Sequence, residues 1–135
     1  MKDKDFYKWL AGFFDGEGCI QVPHGKSAPR PRFTIVNTHL ETMEIISKRL
    51  QVRLRRRKFN YDRRPLYCIT LSDSKAIKSI SKMIPYLITK RKQAELVSKL
   101  GKGKCGEELS KGELNKRMII REKIHKLNGG KKYVR

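Results

Sequence analysis

The sequence predicts an α+β fold in which helices cover one face of a saddle-shaped, four-stranded antiparallel sheet. In some segments apolar residues recur at helical spacing, and in others they alternate with polar residues, as in strands. These patterns follow one another as helix, strand, strand, helix, strand, strand, helix, with further helices toward the C-terminus. A chain of 135 residues can bury one core without disulfides. We therefore expect a single domain over residues 1–135, with its core at about 5–100 and a helical extension at about 108–128.

The first helix is predicted by an apolar stripe at positions i, i+3, i+4, i+7 and i+8, formed by Phe6, Trp9, Leu10, Phe13 and Phe14. Asp5 or Asp3 is expected to cap its N-terminus. Gly12 and Gly16 lie inside the helix, although a helical glycine costs about 1 kcal/mol relative to alanine. We therefore expect another backbone to approach the helix closely at these two positions.

Four short segments alternate between apolar and polar residues, as half-buried strands do. Their inward-facing residues are expected to be Ile20 and Val22, then Phe33 and Ile35, then Val52 and Leu54, and finally Tyr67, Ile69 and Leu71. Proline, glycine and asparagine in residues 23–31 and 60–65 indicate the connecting loops.

The later helices are predicted by their start signals. Residues 38–41 (THLE) form a capping box before an apolar stripe at Met43, Ile46 and Leu50, and residues 72–74 (SDS) precede a helix through Ile77, Ile80 and Met83. Pro85 is expected to end that helix, and residues 87–100 to form another. Ser110 and Glu113 cap a last helix that ends at residues 128–130 (NGG), with an apolar stripe at Leu114, Met118, Ile120, Ile124 and Leu127.

The charge of the chain favours a nucleic-acid partner. It has 33 Lys and Arg against 13 Asp and Glu, a net charge of +20, and binding to phosphates releases condensed counterions. Residues 53–64 (RLRRRKFNYDRR) are almost purely cationic, whereas a merely solvated hairpin usually mixes signs. A two-stranded ribbon fits the major groove of B-DNA, where arginine suits guanine and phosphate. The expected DNA contacts are Gln21, His24, Arg30, Arg32, Thr34, Arg53, Arg55, Arg57, Arg63, Arg64 and Thr70.

Composition disfavours several other classes of protein. No apolar run approaches the ~20 residues that span a bilayer, and the N-terminal segment lacks the continuous apolar core of a signal peptide. The three cysteines form no C-x-x-C, and the three histidines are scattered, so neither a disulfide framework nor a zinc site is indicated. We expect an intracellular protein with no membrane partner and no small-molecule cofactor.

Residues 10–18 (LAGFFDGEG) place Glu17 where the first helix ends. Taken alone, Glu17 fits an exposed acid beside a glycine cap as well as a ligand of a hard cation such as Mg²⁺. If Gly12 and Gly16 pack against the same residues of a second subunit, two Glu17 carboxylates meet near the two-fold axis. That arrangement suits metal-assisted hydrolysis of one phosphodiester on each strand. Lys90 is either a solvated cation or a group that stabilises charge at the scissile phosphate.

The segment LAGFFDGEG resembles the signature of the LAGLIDADG homing endonucleases. Residues 33–38 (FTIVNT), residues 85–97 (PYLITKRKQAELV) and the element order are also similar to that family. A single copy of the motif resembles the family's homodimeric branch, whose members cut long pseudo-palindromic DNA sites. The resemblance implies the αββαββα fold of this family and a site-specific, metal-dependent double-strand cut.

The resemblance also implies roles for particular residues. The motif helices of two subunits would pack together through Leu10, Gly12, Phe13 and Gly16. Glu17 would bind the divalent cation, Mg²⁺ or another such as Mn²⁺, with the Gly16 carbonyl as a further ligand. Asn37 and Lys90 would lie around the water network of the site.

Two other interpretations stay open at this point. An RNA-binding maturase, a splicing cofactor on the same fold, needs a similar basic surface, although an intact Glu17 favours cleavage. A ribosomal or architectural binding protein would explain the charge. It gives no reason for two glycines in an apolar helix beside a carboxylate.

Overall fold

The computed structural model describes residues 1–24, 28–57, 64–100 and 109–129. Its elements are α1 (Asp3–Glu17), β1 (Gly18–Gln21), β2 (Arg32–Asn37), α2 (Leu40–Leu50), β3 (Arg55–Arg57), β4 (Leu66–Ser72), α3 (Asp73–Met83), a 3-10 turn (Ile84–Tyr86), α4 (Arg91–Val97) and α5 (Lys111–Leu127). The predicted element order αββαββα is confirmed. No helix within the described ranges is long and apolar enough to cross a membrane.

The four strands form one antiparallel sheet in the order β1-β2-β4-β3, so β1 and β3 are its edges. Directly opposed residues of an antiparallel pair share a face of the sheet. The inner face carries the buried side chains of Ile20, Phe33, Ile35, Ile69 and Leu71. The outer face carries Gln21 opposite Arg32, Thr34 opposite Thr70, Arg55 opposite Cys68 and Arg57 opposite Leu66. The predicted division into an apolar and a largely polar face is therefore confirmed.

Helix α1 covers the inner face of the sheet. Phe6, Leu10 and Phe14 of this helix are buried, and the ring of Phe14 meets that of Phe33 edge-to-face with centroids 5.0 Å apart. This is a preferred geometry for aromatic pairs. Helices α2 and α3 extend the same core, with Met43 and Ile80 fully buried.

The apolar stripe of α1 is split between two sides of the helix. Phe6, Leu10 and Phe14 face the core, whereas Trp9 is 40% exposed and stacks on the partly buried Phe13 at 5.3 Å between ring centroids. The five residues that share the predicted helix face therefore do not all face the core. The stripe is wider than the contact between α1 and the sheet, so its Trp9 side is left on the surface.

Two predicted helix starts are corrected. Helix α1 begins at Asp3 after Lys2, with no side-chain cap, so neither Asp3 nor Asp5 caps it; both acids lie in the first turn, which the helix dipole favours. Helix α2 is capped by His39 rather than Thr38. The His39 ring accepts a hydrogen bond from the backbone N–H of Thr42, at 3.3 Å.

The helix predicted over residues 87–100 is shorter, because α4 spans only Arg91–Val97. The carboxylate of Asp15 accepts hydrogen bonds from the backbone N–H groups of Ile88, at 2.8 Å, and Lys90, at 3.0 Å. These contacts hold the chain outside a helix just before α4. A distant residue of α1 therefore decides where α4 begins.

Strand β3 and helix α5 also differ in detail from prediction. The strand starts at Arg55, while Val52 and Leu54 pack against the core before it begins. Helix α5 is capped by Ser110 as predicted, but it buries Arg117, Ile120 and Ile124 and leaves Leu114 and Leu127 exposed. The burial of Arg117 is compensated by two contacts of its guanidinium. It donates a hydrogen bond to the carbonyl of Pro29, at 2.9 Å, and it pairs with the carboxylate of Glu113.

Helix α5 and the residue after it cover the β1 edge of the sheet. Asn128 donates a side-chain hydrogen bond to the Ile20 carbonyl, at 2.8 Å, and its own oxygen accepts one from Gln93, at 3.3 Å. The first of these bonds satisfies one of the backbone groups that an edge strand exposes. The C-terminal helix is thereby fixed beside the outer face.

We predict that Gly18→Ala destabilises the protein by about 2 kcal/mol. A Cβ at Gly18 would overlap the ring of Phe14, which is held against Phe33 in the core. Urea unfolding measures the effect. Gly112→Ala is the matched control, since a Cβ on Gly112 meets nothing within 4 Å. Equal unfolding free energies for Gly18→Ala and the wild type would contradict the packing described here.

Candidate active site and nucleic-acid interface

Glu17 is the last residue of α1, and β1 begins at the next residue without a loop. Gly18 has an extended backbone, and its N–H binds the Phe14 carbonyl. The Glu17 side chain is exposed. The sequence prediction that this carboxylate stands at a helix end is confirmed, and the short connection fixes its position relative to the sheet.

Lys90 is held at the same end of α1. Its ammonium donates to the backbone carbonyl of Asp15, at 2.6 Å, while its backbone N–H binds the Asp15 carboxylate. A cation at a helix C-terminus interacts favourably with the helix dipole. The structure thus brings Lys90 close to the chain segment that carries Glu17.

Asp15 is a positioning residue that the sequence analysis did not single out. It contributes three hydrogen bonds to the segment that contains Ile88 and Lys90. The sequence does contain a feature that could have indicated this role. Asp15 is a second carboxylate two residues before Glu17, at a helix end that already carries partial negative charge. Such a carboxylate requires donors, and here they come from the chain before α4.

Asn37 is the last residue of β2. Strand β2 continues two residues beyond Ile35, the partner of Gly18, so Asn37 stands at the sheet end where α1 enters β1. Its side-chain oxygen accepts a hydrogen bond from the backbone N–H of His39, at 2.8 Å. Asn37 therefore lies at the same end of the sheet as Glu17, with its oxygen engaged at the start of α2.

The residues expected at a subunit seam fall into two groups. Leu10 is 0% exposed and belongs to the core of its own protomer, so its assignment to the seam is corrected. Gly12 and Gly16 are exposed, and a Cβ built on either meets nothing within 4 Å. With Trp9 and Phe13 they form one surface strip, which we call the α1 strip (Trp9, Gly12, Phe13, Gly16).

The outer face of the sheet carries most of the expected DNA contacts. Arg32 donates to the side chain of Gln21, at 3.2 Å, and the remaining members on or beside the strands are Thr34, Thr70, Arg53, Arg55, Arg57 and Arg64. His24 is exposed just beyond β1. Arg63 lies outside the described residues.

Arg30 differs from the other expected contacts. It precedes β2 rather than lying on a strand, and its guanidinium binds both oxygens of the Asp73 carboxylate, with Nε at 2.8 Å from Oδ1. Asp73 begins α3 with a positive φ of 56°. The pair therefore ties the start of β2 to the start of α3, and the Arg30 guanidinium is already engaged within the protomer.

Cys19 connects the helix end with the outer face. Burial raises the pKa of its thiol, and the Lys90 and Arg32 cations oppose that rise by smaller amounts. Both cations therefore act on one thiol.

A single protomer offers few ligands for a metal. Within the described ranges, no group of three or more His, Cys, Asp or Glu side chains could hold an ion. The exposed Glu17 carboxylate and the neighbouring Gly16 carbonyl are hard oxygen donors, which suit Mg²⁺ when phosphate, water or another subunit supplies the other ligands. The residues present therefore fit a shared divalent cation site.

Residues 10–99 match the model of a protein family described as LAGLIDADG endonuclease. The match covers most of the chain, and the chain belongs to this family of endonucleases. The recognition made from residues 10–18, 33–38 and 85–97 is confirmed. No curated protein sequence matches the chain significantly.

Several solved structures are similar to this chain. One is the homing endonuclease I-CvuI, solved in complex with the I-CreI target in the presence of Mg, with the DNA not cleaved. It is 25% identical to this chain with a TM-score of 0.77, and the match covers 98% of this chain and 87% of that one. The I-LtrWI LAGLIDADG homing endonuclease, bound to target DNA, is 25% identical with a TM-score of 0.61, covering 87% of this chain and 43% of that one. The archaeal intron-encoded homing endonuclease I-Vdi141I, complexed with DNA, shares the fold at 20% identity, with a TM-score of 0.73 and coverage of 93% and 86%.

We predict that Asp15→Ala lowers the free energy of unfolding by about 1–3 kcal/mol, because it removes the acceptor of two backbone N–H groups. Amide hydrogen exchange at Ile88 and Lys90 should accelerate in the same variant. Glu44→Ala, which removes an exposed carboxylate on α2, is the control and should change neither quantity. Unchanged exchange at Ile88 and Lys90 would rule out the positioning role of Asp15.

Proposed function

We propose that the protein is a homodimeric, site-specific homing endonuclease that makes a double-strand cut in a long pseudo-palindromic DNA site with a divalent cation. The observation that carries the proposal is the exposed α1 strip, which ends at Glu17 and over whose two glycines the protomer leaves open space. Because DNA is the substrate, the enzyme works in the compartment that contains the host genome.

Duplex DNA is the partner that the outer face fits best. The face is cationic and belongs to a chain of net charge +20, so phosphate binding and counterion release favour association. Arg55 and Arg57 project from β3 on that face, where they can reach base edges in the major groove. I-CvuI, I-LtrWI and I-Vdi141I were each solved with DNA, which supports the same partner here.

A second copy of the chain is the partner that the α1 strip fits. Gly12 and Gly16 each cost about 1 kcal/mol relative to alanine, and the protomer has open space at both. A second α1 lying on the strip would use that space and would cover Trp9. The chain spans 43% of the length of I-LtrWI, which supports one such unit as half of a complete enzyme.

Glu17 and the Gly16 carbonyl would hold the divalent cation, Mg²⁺ or another such as Mn²⁺. When bound, such a cation supplies Lewis-acid stabilisation of phosphate charge and lowers the pKa of water. Two subunits paired through α1 would bring one Glu17 to each strand of the DNA.

Lys90 is proposed to stabilise the negative charge that develops on the scissile phosphate. Its ammonium is held on the Asp15 carbonyl, so it needs little reorganisation when the substrate arrives. Asn37, at the adjacent sheet end, is proposed to orient water at the site. Each strand would thus be cut by a carboxylate, a lysine and an amide of one subunit.

We predict that Glu17→Gln lowers cleavage by about 100-fold or more while leaving DNA binding nearly unchanged, because it removes the anionic oxygen donor but keeps the shape of the side chain. The assay incubates protein with a plasmid that carries the uninterrupted host allele, with Mg²⁺ or with EDTA. Glu44→Gln, an exposed position on α2, serves as the control. Retained cleavage by Glu17→Gln would refute the catalytic role of Glu17.

We also predict that Gly12→Leu weakens dimerisation by 10-fold or more, since a bulky side chain would keep two α1 strips apart. Sedimentation velocity across a range of protein concentrations gives the dissociation constant. Gly112→Leu places the same side chain on an exposed turn of α5 and should leave it unchanged. If Gly12→Leu and the wild type dimerise equally well, the seam lies elsewhere.

A further inference from the structure

A cavity of about 380 Å³ lies between the outer face of the sheet and α5, at the β1 edge. Strand residues Cys19, Gln21 and Arg32 line one side. On the other side, Arg121, Ile124, His125 and Asn128 line it from one face of α5 and the residue after it. The cavity therefore joins the outer face to a helix that the proposed function has not used.

The polar groups in the cavity are mostly hydrogen-bond donors. Arg32 and Arg121 contribute two guanidinium groups and His125 adds its ring nitrogens, whereas the Asn128 amide is already bonded to Ile20 and Gln93. No carboxylate is among the described residues that line it. Such a lining favours an anion, and arginine in particular matches phosphate oxygens.

One donor in this region lacks a partner. The Nε atom of Arg32 is buried and makes no hydrogen bond with any of the described residues, although its terminal nitrogen binds Gln21. A buried donor left unpaired costs about 1–3 kcal/mol. Because this atom is closed off from solvent, an acceptor oxygen in the cavity reaches it only if the Arg32 side chain moves.

Arg121 is available for such an acceptor. Its side chain is half-buried, and it makes no ion pair or hydrogen bond with the described part of the chain. The neighbouring Arg117 differs, because it is bound to Glu113 and to the Pro29 carbonyl. Position along α5 therefore separates an arginine used for folding from one free to bind.

We propose that this cavity binds a phosphate of the DNA backbone where the duplex passes over the β1 edge, with Arg121 and Arg32 as its donors. The inference rests on the proposed function, because it requires duplex DNA on the outer face. Helix α5 then acts as a second DNA-contacting element beside the sheet. The contact carries no sequence information, but it fixes the orientation of the duplex relative to Glu17.

The test is the salt dependence of binding to a duplex of arbitrary sequence in EDTA, measured by fluorescence anisotropy. The slope of log K against log salt is negative, and each lost phosphate contact reduces its magnitude by about 0.9. Arg121→Gln is expected to reduce the magnitude of the slope by about that amount. Arg121→Lys, which keeps the charge, is expected to leave the slope as in the wild type. Lys123→Gln removes an exposed charge from α5 outside the cavity and should leave the slope unchanged.

Equal slopes for Arg121→Gln and the wild type would overturn the phosphate site and leave the endonuclease proposal standing. An equal reduction in the magnitude of the slope for Arg121→Gln and Lys123→Gln would also overturn the phosphate site, because the effect would then reflect only the overall charge of the protein. Absence of duplex binding by the wild type would overturn the DNA-binding proposal itself.

Discussion

The candidate site depends on the direct passage of α1 into β1 at Gly18. Because Gly18 has no side chain, the ring of Phe14 can pack closely beside it and against Phe33. The backbone N–H of Gly18 also donates a hydrogen bond to the Phe14 carbonyl. The same residue, Gly18, therefore allows both the core contact of Phe14 and the change from helix to strand. Glu17, one residue earlier, cannot change its position without disturbing the packing of α1 on the sheet.

Lys90 comes to this helix end through a second constraint of the same kind. Asp15 uses its carboxylate to hold the chain before α4 and its carbonyl to hold the Lys90 ammonium. The negative end of a helix is an unfavourable place for two carboxylates. Asp15 is stabilised there by local donors, while Glu17 is left exposed and able to take part in chemistry. The two acids of the motif thus have different surroundings, one hydrogen-bonded within the protomer and the other exposed.

The order of elements could be predicted from the sequence because periodicity and capping are local properties of the chain. Glu17 and Lys90 could be proposed as site residues for a similar reason, since they lie in recognisable segments. Two helix caps were assigned to a neighbouring residue or to none that caps, and the other failures involve partners distant in sequence. The start of α4 is set by Asp15, the burial of Arg117 by the carbonyl of Pro29, and the engagement of Arg30 by Asp73. No pattern within one segment reports which distant group will accept its hydrogen bonds.

Trp9 illustrates the same limit for apolar surfaces. Helical spacing indicates that Trp9 and Leu10 lie on neighbouring positions of one wide stripe, but only the packed sheet shows that Leu10 is inside and Trp9 outside. That division changes the interpretation of the motif. The glycines of α1 are not needed by the core of their own protomer, because open space lies over both. They form, with Trp9 and Phe13, a surface that is suited to a second copy of the helix.

The central claim, that α1 strips from two protomers form the subunit seam, is tested most directly through the one tryptophan of the chain. Trp9 is 40% exposed in the protomer and lies on the strip. Acrylamide quenching of its fluorescence should fall, and its emission should shift to shorter wavelength, as protein concentration rises through the dimer dissociation constant found by sedimentation. A dimer in which Trp9 remains as accessible to acrylamide as in the monomer would contradict the account.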